Sequence, residues 1–123
     1  MRRHILMLVL SVSAMMLLAG GVALAKNISG DENNNDLKGT KAADTIHGRG
    51  GDDVIKGRQG NDQIYGEDGS DQLYGGRGRD RIFTAGARVD VVNCGRGRDW
   101  AEVDATDQVN ANCERVKLVE QAP

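Results

Sequence analysis

From Gly30 to Phe83 a single aliphatic side chain recurs at every ninth position, and the residues between these positions are mainly polar or glycine. The recurring residues are Leu37, Ile46, Ile55, Ile64, Leu73 and Ile82. An amphipathic helix needs three or four apolar residues in every two turns, so this spacing does not indicate helices. It predicts a short strand in each unit with one inward side chain. The predicted strands are 45–47, 54–56, 63–65, 72–74 and 81–83.

Glycine and an acidic or amide residue also return at fixed places in each nonapeptide. If Gly30 is position 1, position 1 is glycine in all six units, and position 4 is glycine in the last four. Position 6 is Asn35, Asp44, Asp53, Asp62, Asp71 and Asp80. One extra residue follows Phe83, and the spacing then resumes with Asp90 and Asp99. Because glycine permits positive φ, positions 1 to 6 are predicted to form tight turns between the strands.

Two nonapeptides are expected to form one coil, so that strands two units apart in the sequence stack in parallel. The fold class predicted is therefore all-β, a parallel β-roll (a solenoid) whose narrow interior is filled by position 8. In this arrangement Asp44, Asp62 and Asp80 lie above one another on one side. Asp53, Asp71 and Asp90 do so on the other side.

Carboxylates stacked at the strand spacing of about 4.8 Å would repel each other strongly, which predicts a cation between them. Carboxylate and carbonyl oxygens are hard ligands that suit Ca²⁺ better than Zn²⁺ or copper, and Mg²⁺ prefers a strict octahedron with bound water. An alternative interpretation is that each aspartate only caps its own turn through an Asx hydrogen bond.

The nonapeptide from Gly75 to Phe83 fits the pattern GGxGxDxUx at every specified position, and the units beginning at Gly48, Gly57 and Gly66 differ only at position 2. Residues 48–83 thus resemble the RTX, or haemolysin-type, calcium-binding nonapeptide repeat. The resemblance implies a β-roll that binds each Ca²⁺ between successive turns through aspartate side chains and turn carbonyls. The metal-binding residues predicted are Asp44, Gly48, Gly50, Gly51, Asp53, Gly57, Gln59, Gly60, Asp62, Gly66, Asp68, Gly69, Asp71, Gly75, Arg77, Gly78, Asp80 and Asp90.

The segment 1–25 has the build of a cleavable secretory signal peptide. Arg2 and Arg3 precede a nearly uninterrupted apolar run from Ile5 to Leu18, and small residues end the segment at Ala25. The apolar run is short for a membrane span, which needs about 20 residues, and an uncleaved anchor is the alternative. The expected organisation is a signal peptide over 1–25, calcium-binding repeats over 26–83, and degenerate repeats with a C-terminal cap over 84–123.

Cys94 and Cys113 are the only cysteines, and in an exported chain they predict one disulfide that fixes the cap. Metal binding by two thiolates is the weaker interpretation, since no CxxC pair or histidine cluster accompanies them, and free thiols are a third. Trp100 is expected to cover the final coil, with ligand stacking as the alternative. The net charge is −2, and it becomes more negative without Arg2 and Arg3, which argues against nucleic-acid binding.

These features together predict a secreted calcium-binding protein whose repeats bind several Ca²⁺ ions and fold on calcium binding. An enzyme is not expected, because His47 is the only histidine after Ala25 and no nucleophile–base pair is recognisable. The alternative function is a cell-envelope or glycan-binding adhesion module that uses calcium as scaffold. It is suggested by His47, Tyr65 and Phe83, which share position 9 and should form an outward row of rings.

Overall fold

The computed structural model describes residues 24–120, so the predicted signal peptide lies almost wholly outside the described residues. Within that range the chain forms eleven short β-strands and no helix. The strands are Asn27–Ser29 (β1), Asp36–Lys38 (β2), Thr45–His47 (β3), Val54–Lys56 (β4), Gln63–Tyr65 (β5), Gln72–Tyr74 (β6), Arg81–Phe83 (β7), Val91–Asn93 (β8), Trp100–Val103 (β9), Gln108–Val109 (β10) and Arg115–Leu118 (β11). It follows that no helix in this range could cross a membrane.

The strands form two parallel sheets. The odd-numbered strands make a six-stranded sheet in chain order, and the even-numbered strands make a five-stranded sheet. Strands two nonapeptides apart are paired in register, as in Ile46 with Ile64 and Ile64 with Ile82. The all-β fold, a parallel solenoid of about five turns, is therefore confirmed.

The core is a column one side chain thick, enclosed between the two sheets. Each strand from β3 to β9 contributes a fully buried inward residue at position 8, and β9 also buries Val103. The position-8 residues are Ile46, Ile55, Ile64, Leu73, Ile82, Val92 and Ala101. Strands β8 to β11 continue the same two sheets. The division of the chain at Phe83 into repeats and cap stays a prediction.

The turns run along the two edges of the roll. Turns that lead into odd-numbered strands form what we call the odd edge, and turns that lead into even-numbered strands form the even edge. At position 2 of three turns, Arg49, Arg58 and Glu67 have φ of 71°, 76° and 65°, close to the 84° of Gly76 at the same position. The turn thus keeps the left-handed conformation even where the consensus glycine is absent.

The ring row of position 9 forms on the outer face of the odd sheet. Ring centroids are 4.6 Å apart between His47 and Tyr65 and 4.7 Å apart between Tyr65 and Phe83, with nearly parallel planes. Trp100 meets Phe83 edge-on at 5.2 Å. The expectation that Trp100 covers the final coil was wrong, because it occupies an outward position of β9 and β11 stacks beyond it.

Candidate metal centre

Buried aspartates line both edges of the roll, in the two stacks that their spacing predicts. Asp44, Asp62, Asp80 and Asp99 follow one another along the odd edge, and Asp53, Asp71 and Asp90 along the even edge. Each of these seven residues exposes 1 % of its surface or less. The fold thus removes a whole series of carboxylates from water.

One carboxylate oxygen of each aspartate joins neighbouring coils. The backbone N–H of Asp44 donates to Oδ1 of Asp62 at 2.8 Å, and the N–H of Asp62 donates to Oδ1 of Asp80 at 2.9 Å. On the even edge the N–H of Asp53 donates to Oδ1 of Asp71 at 2.8 Å. The bond therefore spans one full coil, whereas an Asx turn would close within the residue's own turn.

The second oxygen has no such partner in the middle of the roll. In the described chain, six buried Oδ2 atoms lack any hydrogen bond; they belong to Asp53, Asp62, Asp71, Asp80, Asp90 and Asp99. A buried charged oxygen without a partner is strongly unfavourable unless another charge compensates it. These six oxygen atoms therefore need a positive charge or a hydrogen-bond donor that the described chain does not supply.

The carboxyl groups respond to this burial with raised pKa values. Burial raises the pKa of Asp62, Asp71 and Asp90 to about 7, and that of Asp80 to about 8. The hydrogen bond from the preceding coil opposes the shift, and the neighbouring ladder aspartates add to it. A cation beside Oδ2 would reverse the shift by stabilising the charged form.

Backbone carbonyls open into the same spaces as these oxygens. A methyl group built on Gly48 would lie 2.6 Å from the carbonyl oxygen of Gly66, one coil away, and 2.8 Å from Oδ2 of Asp53. On Gly57 it would lie 2.6 Å from the carbonyl oxygen of Gly75 and from Oδ2 of Asp62. Carboxylate and carbonyl oxygens thus converge beside the position-1 glycine, and this donor set fits Ca²⁺.

On each edge, the roll contributes one buried aspartate per coil. Among the described residues, no three Asp, Glu, His or Cys side chains cluster closely enough to hold a metal by themselves. Carbonyl groups of the turns would have to complete the coordination of any bound ion. Three predicted ligands, Gln59, Asp68 and Arg77, are exposed residues. The individual ligand assignments stay predictions.

One end of each ladder is completed by protein groups: the N-terminal end on the odd edge and the C-terminal end on the even edge. Near the N-terminus, Thr40 donates to Oδ2 of Asp44 from both its N–H and its hydroxyl. Burial raises the pKa of Asp44, but the hydrogen bonds from Thr40 and from the N–H of Lys26 lower it by more. The pKa of this carboxyl group is therefore below its usual value. At the other end, Oδ2 of Asp107 accepts a hydrogen bond from the Thr84 hydroxyl at 2.6 Å.

Sequence reasoning missed Asp107 as the last member of the even-edge ladder. Its Oδ1 accepts the N–H of Asp90 at 2.9 Å, as in every earlier rung. The run Asp107-Gln108-Val109 repeats the end of the nonapeptide, but it follows Asp90 one position too early and so falls outside the strict period. Asp99, which was left out of the predicted ligands, also carries an unpartnered buried oxygen.

The predicted disulfide is confirmed at the C-terminal end of the odd edge. Cys94 and Cys113 are bonded, with their Cα atoms 5.1 Å apart, and both are buried. The bond joins one coil to the next at the point where the odd-edge ladder ends. A covalent link thus joins the last two coils of this edge.

A parallel β-solenoid with buried aspartate ladders and glycine turns on both edges defines a calcium-binding β-roll. The family model described as RTX calcium-binding nonapeptide repeat matches the chain in four copies, over residues 29–64 and 50–82. The repeat region therefore belongs to the RTX family, whose repeats bind calcium, as the motif indicated. No curated protein and no solved structure matches the chain.

Proposed function

We propose that the chain is a secreted calcium-binding protein whose β-roll folds when calcium binds. The observation that carries this proposal is the set of six buried Oδ2 atoms without a hydrogen-bond donor. Ca²⁺ supplies the positive charge and the oxygen coordination that these atoms require. Secretion is supported by the predicted signal peptide and by the usual extracellular setting of RTX repeats.

The unpartnered oxygens also suggest where ions are held. If each ion lies between two successive aspartates that both have a free Oδ2, the pairs are Asp62–Asp80, Asp80–Asp99, Asp53–Asp71 and Asp71–Asp90. We therefore expect four sites, two on each edge. Asp44 and Asp107 would close the ladders without ligating an ion, because their Oδ2 atoms are already hydrogen-bonded.

Calcium-dependent folding follows if the free energy of calcium binding outweighs the cost of burying the carboxylate oxygens and of ordering the glycine-rich turns. Without the ion, the fold buries six uncompensated oxygens and orders glycine-rich turns at a high cost in conformational entropy. When calcium is present, its binding free energy adds to the free energy of folding. Extracellular calcium modules bind at about 10⁻⁴–10⁻³ M, so such a chain would stay unfolded inside the cell and fold outside.

Far-UV circular dichroism of the predicted mature chain, 26–123, tests this proposal. We expect a cooperative gain of β signal when CaCl₂ is titrated into EDTA-treated protein, and none with MgCl₂. Replacing Asp53, Asp62, Asp71 and Asp80 by Ala should abolish the transition. Replacing four acidic residues outside the ladders and outside the predicted ligands by Ala should not; suitable controls are Glu32, Asp36, Glu114 and Glu120. A fully folded spectrum in EDTA would contradict calcium-triggered folding.

The ring row supports stability better than it supports the alternative adhesion function. Both faces of Tyr65 are covered, by His47 and by Phe83. Stacked rings on neighbouring strands stabilise a sheet, but they offer no free ring face to a sugar. Binding to a cell envelope would therefore need another surface. Since the RTX repeat is a structural calcium-binding repeat, we propose no enzymatic activity.

A further inference from the structure

Charged side chains are sorted between the two edges of the roll. Leaving aside the ladder aspartates and the buried Asp104, the turns of the odd edge carry six cations and one acid: Lys41, Arg58, Arg77, Arg79, Arg96, Arg98 and Glu114. The turns of the even edge carry five acids and two cations: Asp31, Glu32, Asp52, Glu67, Asp68, Arg49 and Arg88. A chain with a net negative charge thus presents one strongly positive edge.

Arg77 and Arg96 lie in register on neighbouring coils of the odd edge, and Arg58, one coil earlier, is offset from them by one position; we call these three residues the arginine file. The carbonyl of Arg58 accepts the N–H of Arg77 at 2.7 Å, and Arg77 is bridged in parallel to Arg96. Like charges on adjacent coils, about 4.8 Å apart, destabilise the fold. The salt bridges found in the described chain involve lysine and histidine, and none of them involves an arginine of this file. The file is therefore available to an external anion.

The same edge opens into a groove of about 670 Å³ at the C-terminal end of the odd sheet. Four arginines, Arg79, Arg81, Arg98 and Arg115, surround the half-buried rings of Phe83 and Trp100. Trp100 lies in register between Arg81 and Arg115 on the outer face of the sheet. Glu114 is the exposed acid of the lining, whereas Asp80 and Asp99 are buried.

We propose that this groove and the arginine file bind an acidic polysaccharide, that is, a linear sugar polymer with carboxylate or sulfate groups. A guanidinium group presents paired N–H donors that match both anions. The half-buried ring of Trp100, which lies outside the parallel stack of His47, Tyr65 and Phe83, offers apolar surface to the sugar between the charges. A repeating polymer suits a row of cations that recurs once per coil. This inference goes beyond calcium binding and requires only that the roll is folded.

The test measures binding of immobilised protein to four probes in saturating CaCl₂. The probes are hyaluronan for the carboxylate, chondroitin sulfate for the sulfate, dextran as a neutral polymer, and a single-stranded DNA oligonucleotide. Binding of at least one acidic polysaccharide but not of dextran is expected. The double variant Arg79→Ser with Arg98→Ser should weaken it about tenfold or more. Trp100→Ala should weaken it about fivefold.

The matched control removes the same number of arginines from the opposite edge. Arg49→Ser with Arg88→Ser should leave the affinity unchanged, and circular dichroism should show all variants folded. If Trp100→Ala does not fold, Arg81→Ser with Arg115→Ser tests the groove instead. Equal effects from both edges would overturn the proposal, as would DNA binding tighter than polysaccharide binding. The proposal would also be wrong if no polysaccharide bound to the parent protein and the only effect of Arg79→Ser with Arg98→Ser were to dissociate salt-sensitive oligomers of the protein.

Discussion

The middle and the ends of the roll satisfy the same aspartate in different ways. In the middle, Asp71 and Asp80 each give one oxygen to the preceding coil and leave the other buried without a donor. At the ends, the same oxygen of Asp44 and of Asp107 accepts hydrogen bonds from Thr40 and Thr84. The coil geometry alone therefore does not create a demand for a cation.

This difference separates two roles that the repeat motif combines. Every rung uses Oδ1 to join coils, whether or not an ion could lie beside it. Only the aspartates whose Oδ2 accepts no hydrogen bond from a nearby threonine or backbone N–H require a positive charge. Hydrogen bonds from the protein thus satisfy Asp44 and Asp107, and the disulfide between Cys94 and Cys113 joins the last coils of the odd edge covalently.

The largest expected effect comes from adding a methyl group between two regular coils. A Cβ on Gly69, where φ is 102°, would collide with the carbonyl of Gly51. Gly69→Ala should lower the free energy of unfolding in calcium by about 4 kcal/mol. Gly86 has a similar φ of 96°, but a Cβ added there would lie 3.6 Å from the nearest atom, the carbonyl oxygen of Glu67. Gly86→Ala should therefore cost only about 1 kcal/mol, as measured by urea denaturation. Equal losses at the two sites would contradict this account.

Removal of the disulfide tests how much the C-terminal end depends on its covalent link. The bond closes a segment with a sequence separation of 19, and its loss in a Cys94→Ala, Cys113→Ala variant should cost about 3 kcal/mol. Hydrogen exchange should increase most in β9 and β11, and less in β3 and β5, because each coil contacts only its neighbours. Uniform loss of protection along the roll would show that the effect is not local.

Neutralising one carboxylate distinguishes a middle rung from an end rung. Asp80→Asn keeps an oxygen for the N–H of Asp62 but removes the charge. The calcium midpoint of folding should rise about tenfold to a hundredfold. In EDTA the same variant should be more stable than the parent, since its amide can donate where Oδ2 was unpartnered. Asp44→Asn should shift the calcium midpoint far less. A similar shift for both variants would mean that Asp44 is also a ligand.

The smallest effect concerns the turns that lack the consensus glycine. Arg58 holds φ at 76°, which disfavours a side chain, so Arg58→Gly should stabilise the roll by about 0.5 kcal/mol. The control is Arg79→Gly in the next turn of the same edge. Arg79 is absent from the residues with positive φ in the described chain, so this change should not stabilise. Denaturation in saturating calcium distinguishes the two outcomes.

The strict period made the fold and both ladders predictable. Once Ile46, Ile64 and Ile82 are placed inward in successive coils, the positions of Asp44, Asp62 and Asp80 follow. The different roles of the two carboxylate oxygens, Oδ1 bonding to the preceding coil and Oδ2 left without a donor, could not be predicted. They depend on which oxygen faces the preceding coil. The Thr84–Asp107 contact was hidden for a different reason. It reaches across the irregular turn after Phe83, where the period is broken.

Trp100 shows how a general tendency can mislead when a position is more informative. Its size suggested a cover for the core, whereas its place directly after Asp99 makes it position 7, which points outward. The inward place belongs to Ala101, which is fully buried. The arginine-rich groove followed from the same detail, since Arg81 and Arg115 are its neighbours in register.

The two-turn coil also limits how such a gene could grow. A duplication of two consecutive nonapeptides would add one coil and leave every later residue on its own edge. A duplication of a single nonapeptide would preserve the motif perfectly, yet it would move every later turn to the opposite edge. Basic and acidic turns would then be interleaved, and the positive edge would be lost. Selection acting on that edge would therefore accept even numbers of repeats and reject odd ones.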